Sequence, residues 1–334
     1  MQNTRKNRAA SVPLRTALSL SIAALGLSLS AVAAASPFKG GTVTLVVPSS
    51  AGSSFDNATR SLAEGLAKKW DVPVVVNNRP GAATIVASSA AAKAAPDGRT
   101  ILLMVTPSIQ APFLHANLDY DPVESFAPVA QMFDARLWLG TSGAVDAKTV
   151  KTFMSKAREA RPPFKYASPG NGSTPHLSGA LLAQAEKLDM LHVPFKGVTP
   201  AIVAVGSNVV ESTFASYSDL LPHAQSGKLR ILASTGASRS ELTPDIPTMA
   251  ESGYPGFELL GFGGLVVPAG TPAALVEAIS RDVLEILAQP DIKARYATLG
   301  FELNRQGPDA FGKLLKEQSR DWKKLMDELK IDIQ

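Results

Sequence analysis

The sequence contains no cysteine, so disulfide bonds, a thiol nucleophile and a cysteine-linked lipid anchor are all excluded. Histidine is scarce, with four residues in a chain of 334, and no two of them have the spacing of a helical metal-ligand pair. The sequence also lacks the Gly-x-Ser-x-Gly turn of serine hydrolases and the glycine patterns of nucleotide-binding loops. We therefore expect no enzyme activity, no metal and no cofactor.

An excess of positive charge is also missing once the first 36 residues are set aside. Those residues hold four of the 33 lysines and arginines and none of the 29 acidic residues, which leaves 29 of each sign in the remainder. The formal charge of +4 therefore comes from the amino-terminal segment alone. A neutral remainder gives no reason to expect nucleic acid as a partner.

The amino-terminal segment has the composition of a secretory signal peptide. Basic side chains precede an apolar run over residues 17–35, which ends in small residues that fit two Ala-x-Ala cleavage sites. We predict a signal peptide over residues 1–35, cleavage near Ala34 or Ser36, and a periplasmic protein. A retained membrane anchor is the alternative, but the run is rich in Ala and Ser and no basic stop-transfer cluster follows it.

Short β-branched runs alternate with helix-length segments through the rest of the chain. The runs predict buried strands at residues 42–47, 74–76, 101–104, 165–167, 191–193 and 230–233. Thr-Pro pairs that begin at Thr174, Thr199 and Thr271 predict helix starts with a threonine N-cap. A further helix, over residues 308–329, has the pattern of a surface helix packed on a core. The alternation and the length predict an α/β fold with parallel strands in two domains.

Two turns rich in small residues are the strongest candidates for a binding site. We number three turns in chain order: the first is residues 48–56, the second residues 78–85 and the third residues 168–175. The first and third turns each follow a predicted strand and open a helix. Backbone N–H groups and hydroxyls at a helix N-terminus, placed at the carboxyl edge of a parallel sheet, form a site for an anion. The alternative is that Ser and Gly in each turn only cap a helix.

Short motifs follow one another through the whole chain after the predicted signal peptide, and they include residues 46–56, 78–82, 95–98, 120–122, 170–177, 192–197, 227–230, 244–248 and 268–272. Their order resembles that of Bug-type proteins, the extracytoplasmic solute-binding proteins of tripartite tricarboxylate transporters.

The resemblance implies a fold of the type II periplasmic binding protein kind. Two α/β domains, residues 36–136 with 251–334 and residues 137–250, are joined by crossing strands, and a ligand cleft lies between them. It further implies a monomer that carries a small carboxylate to membrane transporter subunits. The family's ligand-holding positions correspond here to Gly52, Ser54, Gly81, Ala82, Asn171, Ser173 and Thr174.

Departures from the family's pattern guide the choice of ligand. The first turn carries Ser49, Ser53 and Phe55, and the second turn, residues 78–85, ends in Ala83-Thr84-Ile85. Members that take an amino acid have an aspartate where this chain has Ala215, so no carboxylate pairs an ammonium group there. We expect a dicarboxylate, including an aromatic one such as terephthalate. The alternative for Phe55 and Ile85 is that both point into a core.

The residues assigned to the ligand site on this basis are Ser49, Gly52, Ser53, Ser54, Phe55, Gly81, Ala82, Ala83, Thr84, Ser168, Asn171, Gly172, Ser173, Thr174, His176, Lys196, Ala215 and Ser216. For His176 the alternative is packing under the third turn. For Lys196, which follows a predicted strand, the choice is between a positive potential at the site and simple solvation.

Two other functions remain open at this point. One is a periplasmic sensor that reports ligand occupancy to a membrane kinase, since it would share both fold and site. The other is a hydrolase acting on a carboxylate, with Ser173 or Ser54 as the nucleophile and His176 as the base.

Overall fold

Eleven β-strands and ten α-helices make up the described part of the chain, which in this computed structural model comprises residues 36–81, 84–255, 257 and 260–329. The strands are β1 (Val43–Val47), β2 (Val74–Asn78), β3 (Thr100–Val105), β4 (Phe126–Ala135), β5 (Trp138–Ser142), β6 (Lys165–Ser168), β7 (Leu191–Pro194), β8 (Ser212–Ala215), β9 (Leu229–Ser234), β10 (Gly261–Pro268) and β11 (Glu302–Gln306). The helices are α1 (Ser54–Trp70), α2 (Ile85–Ala92), α3 (Thr106–Gln110), α4 (Val150–Glu159), α5 (Thr174–Ala185), α6 (Val198–Gly206), α7 (Tyr217–Gln225), α8 (Ala273–Leu287), α9 (Pro290–Thr298) and α10 (Pro308–Leu329). The predicted signal peptide lies outside the described residues.

The strands form two mixed sheets. The first has the order β11-β4-β10-β3-β1-β2 and the second the order β7-β6-β8-β5-β9. In the first sheet β1 is parallel to β2 and β3, and in the second β6 is parallel to β7 and β8, while the other pairs are antiparallel. The predicted α/β fold is confirmed. We call the first sheet with α1–α3 and α8–α10 the first lobe, and the second sheet with α4–α7 the second lobe.

Each sheet is covered by helices on both faces, as alternation along a strand requires. In β1, Leu45 joins a core cluster with α1 and α8, whereas its neighbour Val46 joins the opposite cluster with α2 and α10. The second sheet is covered in the same way, by α4 and α5 on one face and α6 and α7 on the other. The carboxyl edges of the parallel strands therefore remain free to carry turns.

The two lobes are parts of one compact unit, Pro37–Gln334. Arg136 lies where the chain passes from β4 to β5, and its guanidinium is buried. It binds the carboxylate of Glu302 on β11 at 3.2 and 3.3 Å and donates to the carbonyl oxygens of Ser238, at 2.8 Å, and Thr235. Because Glu302 belongs to the first lobe and both carbonyls follow β9 of the second, Arg136 ties the lobes together.

Glycines in β10 let aromatic rings lie directly on the sheet. A Cβ atom at Gly263 would fall 2.1 Å from the ring of Phe133, and one at Gly264 would fall 2.3 Å from the ring of Phe311. The two rings cover adjacent residues of one strand and so lie on opposite faces of the sheet. Both glycines are therefore required by packing.

The predicted helix ends differ in accuracy. Residues 308–329 form α10, with Phe311 and Trp322 buried, as predicted. The predicted threonine N-caps are wrong by one or two residues, because the caps are Ser173, Gly197 and Pro272. Two of the threonine hydroxyls have other partners. That of Thr271 donates to the carbonyl oxygen of Pro268 at 2.7 Å, and that of Thr174 lies 3.3 Å from the amide nitrogen of Gln110. Within the described residues, no helix combines the length and apolar character that a membrane crossing requires.

Candidate functional site

The first turn connects β1 to α1 and leaves the end of that helix open. Ser53 is the N-cap of α1, and its hydroxyl accepts from the N–H of Asp56 at 3.2 Å and pairs with the hydroxyl of Ser49 at 2.7 Å. The N–H groups of Ser54 and Phe55, in the first helical turn, have no helical partner and remain available to an anion.

Asp56 holds the first turn to the end of β2. Its carboxylate is 1 % exposed and accepts from the Gly52 N–H at 2.7 Å, from Arg60 at 2.9 Å and from the amide of Asn78 at 2.9 Å. Asn78 also donates to the carbonyl oxygen of Ser49 at 3.0 Å. Burial by itself would raise the pKa of Asp56, but these hydrogen bonds outweigh it and lower the pKa below its ordinary value.

The second turn contains a strained threonine. Thr84 is the N-cap of α2 with a φ of 84°, a left-handed conformation that is unusual for a β-branched residue. Its hydroxyl is buried and has no hydrogen-bond partner in the described part of the chain. Strain of this kind is a pointer to function. Gly81 is exposed, and Ala82 and Ala83, also assigned to the site, lie outside the described residues.

Phe55 and Ile85, which were expected to offer apolar surface to a ligand, pack mainly against other residues of the protein. Phe55 stacks on Phe301, with ring centroids 5.5 Å apart, and on Phe133 at 6.1 Å. Ile85 packs against the core cluster between the first sheet and α10. Both residues retain partial exposure, but their contacts favour the alternative in which they belong to the core.

The third turn, after β6, is held by its own serines. The hydroxyls of Ser168 and Ser173 both donate to the carbonyl oxygen of Gly170, at 2.8 and 2.7 Å. Ser168 is fully buried, whereas Asn171 at the tip of the turn is exposed. Ser173 also caps α5, where its hydroxyl accepts from the N–H of His176.

His176 lies under the third turn, which is the alternative to ligand contact that the sequence left open for this residue. Its Nδ1 accepts from the Gly172 N–H at 2.9 Å, which places the ring proton on Nε2. The ring stacks on that of His192 from β7, with centroids 3.8 Å apart and an interplanar angle of 14°. His192 Nε2 lies 2.7 Å from the hydroxyl oxygen of Ser168. His192 is thus part of the site's support, although it was not among the residues assigned from the sequence.

The turn after β8 provides a third serine cap. Ser216 is the N-cap of α7, and its hydroxyl accepts from the N–H of Asp219 and donates to its carboxylate at 2.6 Å. Ala215 is buried in the core of the second lobe. Asp219 is exposed and brings a carboxylate to this turn, four residues after Ala215. Lys196, after β7, is exposed.

The lobes meet at these turns in two places. Gly172 has a φ of 70°, and a Cβ atom there would fall 2.5 Å from Leu114 of the first lobe. Thr174, the next residue but one, contacts Gln110 of the same lobe. At the second place Ser218 of α7 donates to the carbonyl oxygen of Leu299 at 3.2 Å. The carboxyl edges of the two sheets are therefore bridged by contacts that flank the serine-capped helix ends.

The contact required by the hydrolase hypothesis is not formed among the described residues. His176 Nδ1 is occupied by Gly172, and the ring makes no hydrogen bond with Ser173 or Ser54. Among the described residues, the serine hydroxyl that does contact a histidine ring is that of Ser168, and it is fully buried. The described residues also contain no cluster of three or more metal-ligating side chains.

Sequence comparison identifies relatives over nearly the whole chain. Residues 58–331 match the family described as tripartite tricarboxylate transporter family receptor. A Pseudomonas protein, described as the UPF0065 protein in the tcbD-tcbE intergenic region, is 30% identical over 291 residues, which cover 87% of each chain.

Solved structures show the same fold. The periplasmic binding protein BugD is 31% identical with a TM-score of 0.76, over 89% of this chain and 100% of its own. The R. palustris protein Rpa4515 with adipate is 26% identical with a TM-score of 0.79, over 88% and 98%. MatC from Rhodopseudomonas palustris with bound malate is 30% identical with a TM-score of 0.73, over 85% and 98%.

Proposed function

Because this chain belongs to the tripartite tricarboxylate transporter receptor family, a family of solute-binding proteins, we propose that it binds a small dicarboxylate between its lobes and delivers it to the membrane subunits of such a transporter. The proposal concerns the ligand, the site and the partner. It includes a periplasmic location after removal of residues 1–35, a monomeric state, and lobes that correspond to residues 36–136 with 251–334 and residues 137–250.

The observation that carries the proposal is that three helices with serine N-caps begin at the carboxyl edges of the two sheets. Ser53, Ser173 and Ser216 each use the side chain to cap a first-turn N–H group. The remaining N–H groups of those first turns, two each in α1 and α7 and one in α5, where Pro175 has none, are donors without helical partners, and each helix adds the positive end of its dipole. Such an arrangement favours anions, and its division between two lobes suits a ligand with two anionic ends.

Thr84 supplies a second reason to expect an oxygen-rich ligand. A buried hydroxyl without a partner costs free energy unless the bound state satisfies it. A carboxylate oxygen accepts such a bond, and the cost is then recovered on binding. The left-handed backbone that holds Thr84 in this place fits a residue kept for ligand contact rather than for helix stability.

The ligand class follows from the balance of polar and apolar groups. Relatives whose structures contain adipate and malate hold dicarboxylates, one of six carbons and one with a hydroxyl. The packing of Phe55 against Phe301 and Phe133 weakens the reason for expecting an aromatic ring. We therefore favour an aliphatic dicarboxylate, and terephthalate serves as the test of the aromatic expectation.

Calorimetric titration of the protein without residues 1–35 tests the proposal. The panel contains malate, adipate, terephthalate, aspartate, and adipamide as the uncharged match of adipate. We expect at least one dicarboxylate to bind, and its diamide to bind more weakly by about 1.5–3 kcal/mol for each end that loses a charge-assisted bond. Equal binding of adipate and adipamide, or tight binding of aspartate alone, would contradict the proposed ligand class.

A pair of serine variants tests the site. Ser173→Ala removes the cap of α5 and a hydroxyl of the third turn, so we expect weaker dicarboxylate binding together with less ligand-induced compaction in solution scattering. Ser226→Ala is the matched control, because that hydroxyl is exposed at the far end of α7 and, within the described residues, bonds only to the carbonyl oxygen of His223. Unchanged affinity and compaction in Ser173→Ala would show that the third turn only caps its helix.

A further inference from the structure

We propose that His176 and His192 form a positioning pair that makes dicarboxylate affinity depend on pH, because the pair holds the third turn in place only while both rings are uncharged. The inference rests on the proposed function, since it assigns the third turn to ligand binding. It goes beyond that function because it assigns a pH-dependent control to the site. Neither ring needs to touch the ligand.

The hydrogen bond at Gly172 requires a particular charge state of His176. Nδ1 accepts from the Gly172 N–H at 2.9 Å, so it carries no proton in this arrangement. A proton on Nδ1 would turn the acceptor into a donor facing another donor, and the bond would be lost. Gly172 lies against Leu114 of the first lobe, so displacement of this residue disturbs the interlobe contact as well as the turn.

His192 makes the charging of either ring unfavourable. The two rings are stacked with centroids 3.8 Å apart, and His192 Nε2 is held 2.7 Å from the hydroxyl oxygen of Ser168. That hydroxyl also bonds to Gly170, within the third turn. The ring of Tyr166 lies against both, with its centroid 5.1 Å from that of His192 and 6.3 Å from that of His176. Two positive charges at this separation repel each other strongly in a partly buried setting, so the rings favour a common uncharged state.

The surroundings contain few groups that would stabilise a charge on the pair. Apart from His176, α5 has no titratable residue, β7 has only His192, and β8 has none. The titratable residues of β6 are Tyr166, in contact with the rings, and Lys165, whose side chain alternates to the opposite face of the strand. The loops nearby contribute Lys196 after β7 and His115 next to Leu114, and α10 meets the far end of α5 at Glu328.

The direction of the pKa shifts agrees with this geometry. Burial, followed by the nearby His176, lowers the pKa of His192 to about 4, and burial lowers the pKa of His176 as well. Both rings are therefore uncharged at neutral pH. A state in which the third turn is released exposes the rings and restores pKa values near 6.5, so acid favours release. Ligand binding, which requires the turn, should weaken as the pH falls from about 6.5 toward about 4.

The first test measures the pair without any ligand. In a proton NMR titration of the histidine rings, we expect His192 to titrate near pH 4 and His176 below the ordinary histidine value of about 6.5. We also expect the Gly172 amide to exchange with solvent faster, relative to its intrinsic rate, as the rings become charged. Titration of both rings near the ordinary histidine value of about 6.5, with constant protection of Gly172, would overturn the proposal.

The second test measures affinity for adipate and malate at pH 7.5 and pH 5.5. In the unmodified protein we expect a lower affinity at the lower pH, by up to about tenfold for each ring that release of the third turn exposes. The double variant His176→Asn/His192→Gln places uncharged amides where Nδ1 and Nε2 stand, so the ratio of its affinities at the two pH values should be that set by ligand ionisation alone. His223→Gln is the control and should behave as the unmodified protein does.

The outcomes separate the two proposals. An undiminished pH effect in the double variant would overturn the role of the pair. If neither acid binds at any pH, the proposed ligand class is wrong, while the ring titration and the Gly172 exchange still decide whether the pair controls the turn.

Discussion

Asp56→Ala should destabilise the protein and weaken ligand binding together. The substitution leaves three donors without their acceptor: the Gly52 N–H, the Arg60 guanidinium and the Asn78 amide. The first turn and the end of β2 are then no longer joined through a side chain. Since both segments belong to the proposed site, the loss of this connection should weaken ligand binding, even though Asp56 itself is buried.

The expected size follows from the exposure of each partner. The Arg60 side chain is 47% exposed, so its ion pair with Asp56 contributes at most about 1 kcal/mol. The bonds from Gly52 and Asn78 to the buried carboxylate are worth about 1.5–3 kcal/mol each, and relaxation and water entry recover part of this. We expect the free energy of unfolding to fall by about 3 kcal/mol.

The pH dependence gives an independent check on the same carboxylate. Because its pKa is lowered in the folded protein below the ordinary 3.8, its charge stabilises the fold above about pH 4. That contribution is lost as the pH falls further and the folded carboxylate takes up a proton. The stability difference between the unmodified protein and Asp56→Ala should therefore be constant near neutrality and shrink below about pH 4.

Urea denaturation at several pH values, with calorimetric titration of the best dicarboxylate, measures both effects. Asp71→Asn is the matched control, because Asp71 ends the same helix, is exposed, and has a left-handed backbone that asparagine also adopts. We expect the control to stay within about 0.5 kcal/mol of the unmodified protein. A similarly small change in Asp56→Ala, with unaltered affinity, would refute the reasoning.

Three further substitutions test the packing, the interlobe link and the strained turn. Gly179→Ala should lower the unfolding free energy, measured by urea denaturation, by about 1–3 kcal/mol, because the new Cβ would fall 2.3 Å from the ring of Tyr166. Gly206→Ala is its control: the new Cβ makes only ordinary contacts, so the substitution should be neutral or stabilising. Arg136→Ala should lower the unfolding free energy by about 3 kcal/mol, since a partly buried carboxylate and two carbonyls lose their buried donor. A change below about 0.5 kcal/mol would contradict the interlobe role. Thr84→Gly should change the unfolding free energy by less than about 1 kcal/mol, because relief of the left-handed strain offsets the backbone entropy of glycine. It should nevertheless weaken dicarboxylate binding about tenfold in calorimetry, and an unchanged affinity would remove Thr84 from the site.

The sequence predicted the parallel strands well and the antiparallel ones poorly. All six predicted strands occur, extended by one or two residues in most cases. The missed strands are β4, β5, β8, β10 and β11. Among these, β10 carries three glycines that argue locally against a strand, and two of them, Gly263 and Gly264, are required because Phe133 and Phe311 lie on the strand's backbone. β11 is a polar edge strand, so it lacks the apolar alternation that identifies strands elsewhere.

The candidate site was likewise predicted only in part. The turns could be located from composition, because small residues between a strand and a helix have a local signature. The residues that support the turns from other elements could not. His192 lies on β7 and His176 on α5, and they meet only because the parallel register sets His192 beside Tyr166 under that helix. Asp56 and Asn78 stand in the recognised motifs, but their contact depends on the pairing of β1 with β2.

The order of strands in the first sheet fixes the sequence in which the lobes can be completed. The second sheet uses one continuous stretch, residues 138–234, so every strand it needs has been synthesised by residue 234. β10, by contrast, pairs with both β3 and β4 in the middle of the first sheet, yet it follows the entire second lobe in the chain. Until residue 268 emerges, β3 and β4 each present an open edge of the kind that invites wrong pairing. A chain that stops near residue 250 should therefore protect the amides of the second sheet, and not those of the first, from hydrogen exchange.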